Sequence, residues 1–281
     1  MRWTIETDLA AYAARVLPWL ERDPVESNVL CTSMGARLDG SGPADPQLLL
    51  AWLDRGDGSV AGAALRTPPS YLLLPALPAG AAAALADRLH AHGAEVPGVR
   101  GPVRAADTFA DTWAARTGAR PEVRFNERLY RLGVLTAPDR VPGTLRRATE
   151  ADLALLVEWT VAFEDEAGLT RGPDVEAATA RRAASGRLHL WTVDGTPTCV
   201  VGSHCAAGGV VRIGPVYTPP AHRRRGYGAA ATAALSGQLL DAGARACILY
   251  TDLANPTSNA VYQRIGYRPV SDHRTWRFGG P

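Results

Sequence analysis

The run from residue 187 to residue 243 constrains the fold of this chain most. Over residues 187–218 apolar and polar positions alternate, and the alternation is cut at Asp194-Gly195 and at Gly208-Gly209. Such dipeptides take the positive φ of a tight hairpin, so the pattern predicts three strands joined by two turns. The segment PPAHRRRGYG follows, then an Ala-rich run that reads as a helix closed by Gly243. Residues 244–252 predict a strand, 255–266 a helix ended by Gly266, and 267–278 a final pair of strands. Upstream, residues 144–148 predict a short strand. Thr149-Glu150-Ala151-Asp152 then offers an N-cap and first-turn acids to the periodic run LALLVEWTVAF. Strand, helix, three strands, helix, strand, helix, strand predicts an α/β class with a mixed sheet covered by helices on both faces.

A chain of 281 residues suits two domains of ordinary size. The expected boundary is residues 136–143, TAPDRVPG, where two prolines and a glycine interrupt regular structure. That divides the chain into residues 1–137 and 144–281. The first half echoes the second: Asp57-Gly58 separates two short strand runs, YLLLPAL predicts a strand, and two helical runs follow. Thr117-Gly118-Ala119-Arg120-Pro121 resembles Ile265-Gly266-Tyr267-Arg268-Pro269, which suggests an internal duplication.

A formal net charge of +2 gives no global field to gather nucleic acid or an anionic membrane surface, so neither is an expected partner. All 30 cationic residues are arginine, a usage typical of GC-rich bacterial genomes. The first residues carry Glu6, Asp8 and Pro18 and do not read as a secretion signal, and no stretch approaches a membrane span. Cys31, Cys199, Cys205 and Cys247 show no paired or metal-ligand spacing, which predicts a cytoplasmic protein without a metal.

Chemistry concentrates where the third of the three strands meets the Ala-rich helix. In Arg223-Arg224-Arg225-Gly226-Tyr227-Gly228-Ala229, the glycines let backbone approach phosphate oxygens, and the helix start offers free N–H groups and positive dipole. The arginines add charge-assisted hydrogen bonds. Gly226-x-Gly228-x-x-Ala231 also fits a dinucleotide fingerprint, but that turn belongs on the first strand of its unit, the region about 20 positions on reads Cys247-Ile248-Leu249, and only about fifty residues remain.

This loop resembles the pyrophosphate-binding motif of the GNAT acyltransferases. Asn255-Pro256-Thr257-Ser258-Asn259-Ala260-Val261-Tyr262, with Gly266-Tyr267 after it, resembles the helix that follows in that family. The resemblance covers residues 144–278. It implies the GNAT fold, in two tandem copies with the first degenerate, and acetyl-CoA or another acyl-CoA as co-substrate. It further implies that Val216, Tyr217 and Thr218 hold the pantetheine arm, that the loop from Arg223 to Ala229 holds the pyrophosphate, and that Asn255, Ser258 and Tyr262 complete the cofactor site.

By the same resemblance the activity is N-acyl transfer to the amine of a small molecule or a peptide N-terminus, with Tyr262 as general acid to the departing thiolate. Many relatives place a glutamate on the strand before the loop; here Gly214 stands at that position. The base is therefore sought among Glu164, Asp165 and Glu166, with Glu166 favoured, and at His204. The competing expectation is an acyl-CoA-binding or sensing protein without catalysis. The first half has Leu77-Pro78-Ala79-Gly80-Ala81-Ala82 where the loop would align and Ala114 where Tyr262 would, so it is not expected to bind CoA; its expected role is to buttress the second half and wall the acceptor cleft. The expected assembly is a monomer or homodimer.

Overall fold

The computed structural model describes residues 1–40, 47–169 and 174–280. The chain divides into two compact units, Met1–Leu129 with Tyr250–Pro256 and Pro269–Pro281, and Tyr130–Leu249 with Thr257–Arg268.

The first unit runs β1 (Arg2–Glu6), α1 (Leu9–Leu20), α2 (Asn28–Leu38), β2 (Leu49–Asp54), β3 (Val60–Arg66), β4 (Leu72–Leu73), α3 (Ala81–Ala91), β5 (Gly98–Pro102) and α4 (Val103–Thr117), leading into β6 (Arg120–Leu132). Asp8 caps α1 by accepting the Ala11 N–H at 2.7 Å, satisfying one of the orphan donors of its first turn. On one side of the sheet Tyr12 is fully buried and donates to the Ala64 carbonyl at 2.9 Å. On the other, α3 and α4 bury Leu85, Leu89, Phe109 and Trp113 in one cluster.

The second unit repeats that order: β7 (Thr144–Arg147), α5 (Leu153–Glu166), α6 (Val175–Ala184), β8 (Leu188–Val193), β9 (Thr196–Ser203), β10 (Val210–Tyr217), α7 (Tyr227–Asp241), β11 (Ala246–Asp252), α8 (Pro256–Arg264) and β12 (Tyr267–Gly279). Its strands lie β11-β10-β9-β8-β7, antiparallel except for the parallel β10–β11 pair. Thr149, the expected N-cap, forms a capping box with Asp152, and Arg146 grips Asp152 through two 2.7 Å bonds, holding that carboxyl well below its usual range. Tyr227, Ala231 and Leu235 of α7 bury one face of the sheet. Leu156 and Trp159 of α5 bury the other together with Tyr217.

Two expectations differ from the structure, and one element is new. The boundary falls inside β6, between Leu129 and Tyr130, and residues 136–143 lie within the second unit. Trp191 holds that segment, its indole N–H donating to the Pro142 carbonyl at 2.9 Å. The last strand pair is one strand, β12, because residues 267–278 contain no turn pair of the Asn-Gly kind; Asp272 at its middle is bound to Arg128 at 2.6 Å. A further helix, α6, stands between α5 and β8, where the sequence reading had no element.

The distal part of β12 returns to the first unit, where His273–Arg277 pair antiparallel with β5. Phe278 stacks on Phe109 and Trp113 with ring centroids 6.4 and 6.3 Å away. Ending the chain at Arg268 removes this strand and the ring. Phe278 is partly buried against that cluster, and the truncation also removes the strand that pairs with β5. The truncated chain should therefore lose the unfolding transition of the first unit in urea, and an unchanged midpoint would contradict this arrangement.

Candidate active site

β10 begins paired on both sides. Val210–Arg212 face Ala246–Ile248 of β11, but that ladder ends there, while pairing with β9 continues past a register shift to Val216 and Tyr217. A wedge therefore opens between β10 and β11 from Ile213 onward. Alternation along the strand sends Val216 to the α7 side and Tyr217 to the α5 side, where its ring lies 6.4 Å from that of Trp159. Burial, and then the Glu166 charge, push the Tyr217 hydroxyl upward.

Beyond Thr218 the chain makes a short 3-10 turn at Pro220–His222 and reaches the arginines. Arg223 locks the loop: its Nε donates to the Thr218 carbonyl at 2.8 Å and its Nη2 to both Glu166 oxygens at 2.7 and 2.6 Å. Its guanidinium carbon lies 5.8 Å from the Tyr217 ring centre. Arg224 takes φ 62° and Gly226, the residue capping α7, takes φ 81°, which turns the backbone sharply into the helix. The first bond within α7 runs from Ala230 N–H to the Gly226 carbonyl at 3.0 Å, and no side chain caps the helix. The N–H groups of Tyr227, Gly228 and Ala229 are thus available to an anion. The start of α7 abuts the end of β10: a Cβ on Gly228 would stand 3.5 Å from Thr218 Oγ1. Arg224 and Arg225 are exposed and bear no ion pair among the described residues.

Tyr262 lies on α8 with its half-buried ring against the α7 cluster, meeting the Tyr267 ring edge-on at 6.2 Å. Burial, with the Cys199 thiol beside it, pushes its hydroxyl well above the ordinary tyrosine range, and that hydroxyl makes no hydrogen bond among the described residues. The helix is pinned from β6: the Tyr130 hydroxyl donates to Asn259 Oδ1 at 2.8 Å and accepts from Gln263 Nε2 at 3.2 Å. Ser258 is in the first turn of α8. Asn255 directly precedes Pro256, in a segment that clusters with the first unit.

Val216, Tyr217, Thr218 and the loop from Arg223 to Ala229 are therefore assembled in one place. Of the candidate bases, Glu166 joins them as the partner of Arg223, and His204 does not. Glu166 ends α5 with both oxygens occupied by Arg223, and Glu164 and Asp165 lie on the same last turn. His204 follows β9, its N–H bonded to the Arg212 carbonyl at 2.9 Å. It sits about 20 Å along β10 from the loop end, at ~3.3 Å per residue. Sequence reading passed over Arg182 of α6, whose Nη2 donates to the carbonyl of Gly214 at 2.7 Å. Gly202 leaves the room that Arg182 fills, with a Cβ there standing 2.8 Å from its Nη2.

Comparison with known proteins bears on this geometry. Residues 202–277, which hold β10, the loop, α7, β11 and α8, match the family described as FR47-like protein. No curated protein matches the chain by sequence. Among solved structures, a GNAT-family acetyltransferase from Colwellia psychrerythraea superposes with TM-score 0.64 at 11% identity, covering 100% of both chains. A GCN5-related N-acetyltransferase from Sphaerobacter thermophilus gives 0.63 at 17% identity, covering 100% of this chain and 97% of the other. A tandem GNAT protein from the clavulanic acid biosynthesis pathway gives 0.57 at 16% identity, covering 100% and 99%. The class is defined: this chain has the GNAT fold. More particularly, the FR47-like match spans the segment that builds the open start of α7 and the helix bearing Tyr262.

Proposed function

We propose that the chain is an N-acetyltransferase that takes its acyl group from acetyl-CoA and gives it to the amine of a small molecule or a peptide N-terminus. The observation that carries this reading is the uncapped start of α7 beside the free end of β10, with Arg224 and Arg225 exposed next to it. The pyrophosphate would accept from the α7 amides and these two arginines. The pantetheine arm would run along Val216, Tyr217 and Thr218 into the wedge. The amine attacks the thioester carbonyl, the C–N bond forms, and collapse of the tetrahedral intermediate breaks the C–S bond and expels CoA thiolate.

Tyr262 acts as hydrogen-bond donor to that sulfur. With its pKa driven up by burial, full transfer of its proton to a thiolate of pKa about 8.5 is uphill, so stabilisation of charge is its contribution. Glu166 holds Arg223, and the proton released by the amine goes to water in the open wedge. Glu166→Gln should accordingly lower kcat less than tenfold while raising the KM for acetyl-CoA. A general base would contribute roughly 10²–10⁴-fold, so a fall of that size in kcat would restore Glu166 to that role.

The first unit is read as a second copy that has lost the chemistry. Its α3 also starts after a glycine at positive φ, Gly80, but the residues around it, Leu77 to Ala82, bring no arginine. The unpaired cysteines suit a cytoplasmic setting. The test of the function is release of free thiol from acetyl-CoA across a panel of amines. Binding of acetyl-CoA with no release on any amine would leave a binding protein instead of an enzyme.

A further inference from the structure

Arg182 reaches from α6 across the face of the sheet to the mouth of the wedge. Its Nη2 donates to the Gly214 carbonyl at 2.7 Å and to the Ser203 carbonyl at 3.3 Å. Glycine at 202 admits it, since a Cβ there would stand 2.8 Å from that Nη2 and 2.9 Å from the Gly214 oxygen. No carboxylate pairs with this guanidinium among the described residues, and its Nε and Nη1 have no protein partner there. Burial, followed by the charge of Arg187, pulls Arg182 down to about 10. The surrounding cations are also held by neutral groups: Arg147 by the Ala184 carbonyl at 3.2 Å and Arg187 Nε by Ser185 Oγ at 2.7 Å.

Taking a charge out of water without a counter-ion costs several kcal/mol. The carbonyls at the C-terminal end of α6 offset part of this, because a cation is favoured there. The remainder is relieved when an anion arrives. Position tells which one. On the acyl-transfer reading the donor arm would occupy the wedge with its pyrophosphate at the start of α7, which leaves the α5 and α6 face for the approach of the acceptor nitrogen. Arg182 stands on that face, bonded to the strand residue at the wedge mouth.

Resting on the acyl-transfer reading, we propose that the acceptor is an amine carrying a carboxylate, of amino-acid type, and that Arg182 binds this carboxylate and so sets the orientation of the attacking nitrogen. One guanidinium matches one unit of negative charge, and its planar N–H edge matches a planar carboxylate.

The test uses the full chain with saturating acetyl-CoA and matched pairs of amino acids and their carboxamides. The best acid should exceed its amide in kcat/KM by at least tenfold, as expected when a site built to bind a charged group is left unpaired by an analogue. Arg182→Gln should cut kcat/KM for the acid by about 30-fold, through KM, and leave the amide unchanged. Arg182→Lys should recover part of the preference, and both variants should bind acetyl-CoA as the parent does. Equal turnover of acids and amides by the parent, acceptance of carboxylate-free amines alone, or an equal loss on acid and amide in Arg182→Gln would each overturn the proposal. The last result would mean that Arg182 only braces the strand. A parent chain that binds no acetyl-CoA, or that binds it and releases no thiol with any amine, instead overturns the acyl-transfer reading.

Discussion

Gly226→Asp should all but abolish acetyl-CoA binding while the chain stays folded. Gly226 caps α7 at φ 81°, and a Cβ there meets Val141 Cγ2 at 3.1 Å, so any side chain is mildly strained. Aspartate tolerates this backbone region better than most residues and is a favoured helix cap. Its carboxylate would turn onto the N–H groups of Gly228 and Ala229 and occupy the place of the pyrophosphate, with like charge repelling what remains. Calorimetric titration should show acetyl-CoA affinity reduced by more than about 100-fold, that is, by more than about 2.7 kcal/mol. The melting temperature should change little, because capping about 1 kcal/mol in favour opposes backbone strain of similar size. Unchanged affinity would mean that α7 does not receive the donor.

Tyr262→Phe should lower kcat by about 10²-fold with little change in the KM for acetyl-CoA, the usual consequence of removing one donor aimed at developing charge. The substitution keeps the ring, which packs against Tyr267 with centroids 6.2 Å apart, so stability should be nearly unaffected. Because burial holds the hydroxyl above its ordinary range, it stays protonated wherever the fold is intact. The pH profile of kcat should therefore show no limb from Tyr262 below pH ~10. Any pH dependence in that range should follow the acceptor amine, which must be neutral to attack. A tyrosine variant with unchanged kcat would remove Tyr262 from the chemistry.

The elements around the loop were legible because each carries a local signal. Asp194-Gly195 and Gly208-Gly209 set the hairpins at positive φ, and Thr149 with Asp152 forms the capping box. The Gly226 turn and the Ala-rich run mark the start of α7. Glu166 was also singled out, but from sequence alone an acidic residue at a helix end can serve as a base or as a counter-ion. Its two bonds to Arg223, which lies 57 residues away, decide that it is tied to the loop. His204 was drawn in by residue type, and the antiparallel register of β9 on β10 puts it beside Arg212 instead of beside Thr218. Arg182 gave no signal, because an arginine in VEAATARRAA is indistinguishable from a solvated helix face until Gly202 of β9 and Gly214 of β10 are known to lie beneath it.

What the sequence by itself determined is the set of local conformations, including the glycine turn into α7 with its arginines alongside. Turn residues, caps and glycines act over a few bonds, and their preferences survive in any tertiary setting. Only the tertiary structure decided where β10 parts from β11, which carboxylate meets Arg223, which carbonyl meets Arg182, and that the end of β12 pairs with β5. These are choices among partners distant in the chain. They depend on strand register and on which side chains share a buried space, and neither is encoded in the spacing of neighbouring residues.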